Sequence, residues 1–316
     1  MKIIVIGGTG HIGTYLVPRL VRDGHEVIVV SRGNREPYAS APEWESVERA
    51  TVDRRAEDEA GTFGRRIASL QPDAVIDLIC FNADSARQIV TALPGTCRHY
   101  LSCGTIWVHG PAERVPTPES APRRPVGDYG IDKNTMEAYL LDPARGGPPA
   151  TVIHPGHIVG EGWPPLNPQG NFDLAVWKTI RRGAELALPN LGLECVHHVH
   201  ADDVAQQFVR ALNRPSVAAG AAFHAVSPQA VTLRGYAEAA YAWFGNEPQL
   251  KFMPLVELKT RIDAGNYEQT FEHIRRSPCM SIEKARSLLG YQPCYSSLSA
   301  AREAVDWLIA HGRLDD

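Results

Sequence analysis

Lysine is scarce in this sequence: only 6 of its 32 basic residues, against 26 arginines. That scarcity makes each lysine informative. There is no excess of positive charge either, the formal net charge being −4. A chain without a basic balance has little to hold a polyphosphate backbone, so no nucleic-acid partner is expected. Cysteine is sparse. None of the six is spaced as CxxC, and none stands at zinc-finger spacing to a histidine pair. They read as reduced thiols. The first residues run directly into Met1-Lys2-Ile3-Ile4-Val5-Ile6-Gly7 with no leader pattern, which together with the thiols predicts a cytoplasmic protein. No apolar run approaches the roughly 18 residues a membrane span needs, so no membrane partner is expected. Repeats and low-complexity tracts are missing. What remains is a globular composition, 44% hydrophobic and 22% charged over 316 residues, long enough to bury roughly three quarters of the unfolded surface.

Strand and helix patterns alternate in the first half. Apolar runs at Lys2–Ile6, Glu26–Ser31, Val47–Val52, Asp73–Ile79, His99–Cys103 and Ala150–His154 read as strands. Helical spacing covers 11–23, 57–70, 83–93 and 129–141, and a Pro-rich loop fills 111–125. Alternating units of this length predict an α/β fold: a Rossmann-type, doubly wound parallel sheet covered by helices on both faces. After Pro155 the texture becomes irregular, with helices expected at Ser281–Leu289 and Leu298–Ile309. Ala301, Val305 and Leu308 put an apolar stripe on the last, which predicts core. The division expected is a nucleotide-binding domain over 1–155 and a smaller C-terminal α/β substrate lobe over 156–316, with the chain able to cross between them. The ligand cleft would lie at the carboxyl ends of the strands.

Gly7-Gly8-Thr9-Gly10-His11-Ile12-Gly13 follows the first strand and opens the first helix. Three glycines at this spacing arise by chance in such a chain about 0.2 times, so position carries the signal. A tight turn, close backbone approach and a helix N-terminus together suit a pyrophosphate. An NAD-selective site wants an acid at the end of the second strand. Here that strand ends Val30-Ser31-Arg32-Gly33-Asn34-Arg35, with no acid before Glu36. Ser31, Arg32 and Arg35 can instead grip a 2′-phosphate, which favours NADP over NAD. Asp53, after the third strand, is placed to accept from an adenine amino group or to be a surface acid beside Arg54 and Arg55.

Tyr129-Gly130-Ile131-Asp132-Lys133 sets a tyrosine and a lysine four apart on one helix face. A lysine there lowers the phenol pKa electrostatically, and a phenolate near neutrality is a general base for a substrate hydroxyl.

With these motifs the chain resembles the extended short-chain dehydrogenase/reductase superfamily, the NAD-dependent epimerase/dehydratase family, as an atypical member. The glycine loop, Tyr129-x-x-x-Lys133 and His200-Ala201-Asp202-Asp203-Val204-Ala205 carry the resemblance over nearly the whole chain. It implies a catalytic Ser or Thr after the fifth strand; Thr105 falls on that position, with Ser102 second. It implies NADP or NAD as cofactor, with contacts from Gly7, Thr9, Gly10, His11, Ile12, Gly13, Ser31, Arg32, Asp53, Leu78, Lys133, Pro155 and Gly156. The catalytic set is Tyr129, Lys133 and Thr105. Two landmarks of sugar-nucleotide epimerases are missing, since Val196 stands where those enzymes carry an arginine for the diphosphate, and His157 follows Pro155-Gly156. Ile106-Trp107 replaces the acidic pair of the 4,6-dehydratases.

Trp107, His157 and His198 are candidate substrate contacts, and Trp163–Pro168 a cleft-lining loop. His198 and His200 share a strand face but lack a third ligand, so no metal is expected; the helix that follows should be capped by Asp202 or Asp203. Arg275-Arg276 reads as a solvated pair. The expected function is hydride transfer at a carbinol or ketone carbon of a small, sugar-like substrate. An epimerase with in-place hydride recycling is the nearest rival, and a cofactor-binding regulatory or RNA-associated protein the rival of another class. Two helices flanking such a sheet can pair into a four-helix homodimer interface.

Overall fold

Alternating apolar residues on one short strand set the two-faced architecture of this protein. The computed structural model describes residues 1–93 and 95–315. Lys2–Ile6 forms β1, followed by α1 (His11–Arg22), β2 (Glu26–Ser31), β3 (Glu48–Thr51), α2 (Arg54–Glu59) and α3 (Phe63–Ser69). Then come β4 (Ala74–Asp77), α4 (Ala83–Ala92), β5 (His99–Cys103), α5 (Asp128–Leu141) and β6 (Ala150–Pro155). These six strands and the later strand Ala221–Ala225 make one seven-stranded sheet. Its order is Ala221–Ala225, β6, β5, β4, β1, β2, β3, and every pairing is parallel. The architecture is therefore the Rossmann-type α/β fold, with a strand from the second half of the chain returning to the sheet beside β6.

Ile3 and Val5 point to one side of the sheet and Ile4 and Ile6 to the other, because strand side chains alternate. The first pair packs with Leu16 and Leu20 of α1 and with Phe208 and Phe223. The second packs with Ile67, Ile89, Met136 and Leu140, from α3, α4 and α5. A third apolar cluster lies wholly in the second half and gathers Trp177, Leu188, Tyr236, Tyr241, Val305 and Leu308. The apolar stripe of the last helix, Ser297–Ala310, belongs to it.

One expected helix is two. The pattern over 57–70 is interrupted at Gly61, whose φ of +64° breaks the turn between α2 and α3. Among the described residues no helix is long and apolar enough to cross a membrane.

Candidate active site

The strand order reverses at β1, which has β2 on one side and β4 on the other. Connections leave in opposite directions there and open a crevice at the carboxyl ends. The glycine loop borders it. Gly7 has φ +81°, and a Cβ on it would lie 2.8 Å from Ile79. A Cβ on Gly13 would lie 2.0 Å from the Gly8 carbonyl oxygen, so only glycine lets α1 start this close to β1. Helix α1 opens on Gly10 with no side-chain cap and no acid in its first turn. Its N–H groups and positive dipole end are left for an anion. A dinucleotide's pyrophosphate fits that geometry.

His11, the first residue of α1, is not bare. It stacks on Trp163, with centroids 5.3 Å apart and 18° between planes, and meets Tyr38 edge-on at 5.6 Å. Burial pushes its pKa down to about 3, with His200 adding to the effect, so the turn carries no charge of its own at neutral pH. Thr9 and Ile12 are buried beneath the loop. The Leu78 N–H donates to the Ile6 carbonyl, 3.0 Å away, closing the β4 end over β1. At β6 the Gly156 N–H donates to Ala225, and a Cβ there would lie 2.3 Å from the His197 carbonyl oxygen. Pro155 ends the strand just before it.

Past β2, Ser31 accepts from the Gly33 N–H at 3.2 Å. Arg32 is exposed, and Arg35 donates to the Tyr38 hydroxyl at 3.0 Å. Arg35, Tyr38, Gly162 and Trp163 line a cavity of about 450 Å³. Asp53 caps α2 by accepting from the Ala56 N–H at 3.2 Å, so part of its carboxylate is already spent. Sequence reading missed its neighbours: Arg54 forms a buried ion pair with Asp77 at 2.6 Å, and the Tyr100 hydroxyl donates to the same carboxylate. An arginine beside an acid in a surface-looking run gave no signal of that burial.

Thr105 lies two residues past the end of β5, and its oxygen caps the short turn Ile106–His109 by accepting from Trp107 N–H at 3.2 Å. The Thr105 side chain stands beside the Tyr129 hydroxyl and acts to lower its pKa. The Tyr129 ring keeps 43% of its surface exposed, yet burial around its hydroxyl, and Cys103 beside it, push the phenol pKa up. That is opposite to the lowering expected from Lys133. The lysine is buried, and its ammonium donates to the Cys80 and Cys103 carbonyls at 2.6 and 2.7 Å. It lies 5.8 Å from the Tyr129 ring centroid. Burial lowers its pKa. Ser102, by contrast, is fully buried and aims its hydroxyl at the Met136 sulfur.

Trp107 meets Tyr129 edge-on at 5.8 Å, His157 at 6.5 Å and His273 at 5.3 Å. His157 lies 5.9 Å from His198 and 5.0 Å from His273. Neither ring nitrogen of His157 has a partner. His198 uses Nε2 on the Leu166 carbonyl and leaves Nδ1 unpaired. Burial holds His157 well below its ordinary pKa and His198 and His273 at about 4. All three rings are therefore neutral at pH 7. His273 comes from a helix 116 residues after His157 in sequence, and no motif marks it. Arg276 is corrected too. Far from solvated, it is 1% exposed, lies 3.7 Å over the Trp107 ring and is paired with Glu272 at 2.8 Å.

The segment 197–203 also differs from expectation. His200 itself caps the following helix by accepting from Asp202 N–H. Asp202 instead pairs with Arg19 at 2.6 Å, and Asp203 accepts from the N–H groups of Cys294 and Tyr295. Arg19 holds Asp202 by a charge-assisted pair, and two backbone N–H groups from a distant segment hold Asp203, so neither acid is left to cap.

Comparison with known proteins agrees with this geometry. The sequence model of the NAD dependent epimerase/dehydratase family matches residues 3–224. The chain is 30% identical to the 2′-dehydrokanamycin reductase of Streptomyces kanamyceticus over 204 residues, 64% of this chain and 55% of that protein. The match thus spans about half the length of that relative. It is 25% identical over 299 residues to the chloroplast stem-loop binding protein of 41 kDa b of Arabidopsis thaliana, covering 92% of this chain and 75% of that one. Among solved structures, a Thermotoga maritima UDP-glucose 4-epimerase superposes with a TM-score of 0.74 at 21% identity, over 98% of this chain and 99% of that one.

Proposed function

Because this chain belongs to the NAD dependent epimerase/dehydratase family, we propose that it is an NAD(P)-dependent oxidoreductase acting at a carbinol or ketone carbon of a small, uncharged, sugar-like substrate. One observation carries the reading: the Thr105–Tyr129 hydroxyl pair stands beside the buried Lys133, at the carboxyl end of β5. Bound there, the nicotinamide would accept or return the hydride. Tyr129 exchanges the hydroxyl proton of the substrate, and Thr105 holds the same oxygen in line with it. Lys133 has two backbone acceptors in hand, can exchange one for a ribose hydroxyl, and puts a positive charge beneath the phenol. For reduction the raised phenol pKa is useful, since Tyr129 stays protonated and ready to donate.

The substrate side supports a neutral ligand. Val196 is fully buried and apolar, and Arg276 is 1% exposed and held by Glu272, which Arg275 shares, so Val196 offers a diphosphate no counter-charge and Arg276 is already engaged. His157 presents two unpaired nitrogens, one donor and one acceptor when neutral. A substrate hydroxyl, which both donates and accepts, matches that pair. These features favour a reductase or dehydrogenase over an epimerase of sugar nucleotides. The net charge of −4 weighs against the RNA-associated alternative, which the likeness to a chloroplast stem-loop binding protein keeps as the rival of another class. Residues 1–155 hold the cofactor and 156–316 the substrate, with Ala221–Ala225 returning to the sheet. NADP is favoured by the exposed Arg32, and a homodimer through sheet-flanking helices is the assembly expected.

The test is direct. The purified protein is checked for bound cofactor by mass spectrometry, then given candidate keto sugars and polyols while the reduced-nicotinamide absorbance is followed. Net change supports the reading. Product formed without net change shows an epimerase, and cofactor binding with no turnover of any carbonyl or carbinol rejects catalysis.

A further inference from the structure

Behind the Tyr129–Lys133 helix lies a second histidine cluster. His154 of β6 and His224 of the returning strand are paired neighbours in the sheet. His109, from the turn after Thr105, comes over them. One nitrogen from each lies within 4.8 Å of the others, and all three residues are buried. Two carboxylates stand close. Glu137, one helical turn after Lys133, accepts from His154 Nε2 and from Arg123 at 2.7 Å. Glu119 accepts from the His224 backbone N–H at 3.0 Å. Arg123 also lies within 3.4 Å of both His109 nitrogens.

Neutral rings turn unshared lone pairs into this cluster. A neutral imidazole has a single N–H. His224 spends its own at Nδ1 on the Ser281 carbonyl, at 2.9 Å. Its Nε2 is then a bare lone pair, and it faces His109 Nε2 at 2.9 Å. His109 Nδ1, on the other side of its ring, faces Arg123 at 3.4 Å. His154 Nδ1 is fully buried and has no partner. These inward-facing lone pairs, with two carboxylates at hand, are what a bound cation would use.

We propose that His109, His154 and His224 form a buried site for one divalent transition-metal ion of the zinc class, with Glu137 beside it as a fourth oxygen ligand or charge partner. Borderline metals take imidazole nitrogen and carboxylate oxygen in tetrahedral sets with Zn–N about 2.0–2.1 Å, which puts ligand nitrogens about 3.3 Å apart. Drawing the cluster to that spacing takes side-chain movements of about an ångström. The Nδ1 bond from His224 to Ser281 is the outer contact that fixes a ligating imidazole with Nε2 bare. Glu137 and Glu119, set against the one positive charge of Arg123, leave one negative charge beside the ion. A cavity of about 350 Å³, lined in part by His109, Glu113, Ser120 and Pro122, reaches the cluster from outside. The ion braces the sheet edge, the turn after Thr105 and helix α5. It is a structural site, separate from the reacting atoms.

The experiment uses the intact protein, stripped with a chelator and titrated with Co²⁺. The expected result is one equivalent bound with the visible absorption of a four-coordinate site, displaced by Zn²⁺, together with a rise in the thermal midpoint when Zn²⁺ is added. His224→Gln should abolish the absorption, and Glu137→Gln should weaken binding by about 10–100-fold. His273→Gln, in the other cluster, should leave both unchanged. If a variant fails to fold, the wild-type spectrum and midpoint decide alone. No absorption and no Zn²⁺-dependent shift in the wild-type protein would overturn the proposal. So would uptake lost in His273→Gln and kept in His224→Gln.

Discussion

His11 and Trp163 stack with centroids 5.3 Å apart, which ties the first turn of α1 to a loop 152 residues later. The residue after Gly10 is thus roofed by an indole, and the glycine-loop end of the crevice is partly built from the second half of the chain.

Removing that roof should show in cofactor affinity. A ring pair is worth about 0.5–1.5 kcal/mol, so Trp163→Ala should weaken cofactor binding by up to about tenfold. The maximal rate should change little, because Trp163 does not approach Tyr129. Titration calorimetry checks this, and an unchanged dissociation constant would remove Trp163 from the site.

The proton donor is tested by Tyr129→Phe, which removes only the hydroxyl. Turnover should fall by about 10²–10⁴-fold while cofactor still binds. Lys133→Met should reduce both cofactor affinity and rate, since it also strands the Cys80 and Cys103 carbonyls. Because burial raises the Tyr129 phenol, the carbonyl-reducing rate of the free enzyme should show no loss of the acid form at neutral pH. A near-native Phe variant would move the search for the acid to His157 or His198.

Cofactor choice rests on the end of β2. Arg32→Ala should weaken NADP by about 1.5–3 kcal/mol, the worth of a charged hydrogen bond, and leave NAD nearly unchanged. Equal weakening of both, or a native preference for NAD, would contradict the assignment.

Buried neutral histidines set the acid limit of stability. The fold holds His99, His197, His198 and His273 at about 4, with burial the leading cause in each. Unfolded, each titrates near 6.5. Between those values the unfolded chain binds more protons, so stability rises with pH and falls as pH drops. The contribution is complete above about 6.5 and is lost progressively toward 4. Urea unfolding at pH 7.5 and pH 5 should differ by several kcal/mol, with about three or more protons taken up on unfolding near pH 5. A pH-independent midpoint across that window would show that these rings are not held neutral.

By itself the sequence determined the features that depend on near neighbours along the chain. The unbroken apolar run Ile3–Ile6 marks a strand buried on both faces, and the glycines at 7 and 13 mark a turn with no room for a Cβ. Four-residue spacing put Tyr129 and Lys133 on one face of α5. These follow from local geometry, periods of 2 and 3.6, and the missing side chain of glycine. The tertiary structure alone decided what depends on who arrives from far away. His200, and neither Asp202 nor Asp203, caps the helix Ala201–Leu212, because Arg19 and the 294–295 backbone claim the two acids. Arg276 leaves solvent because Trp107 and Glu272 receive it. The clusters His157–His198–His273 and His109–His154–His224 assemble from segments more than 40 residues apart, and no local spacing encodes such meetings. Burial then sets their charge, since desolvation is a property of the packed fold and not of the residue.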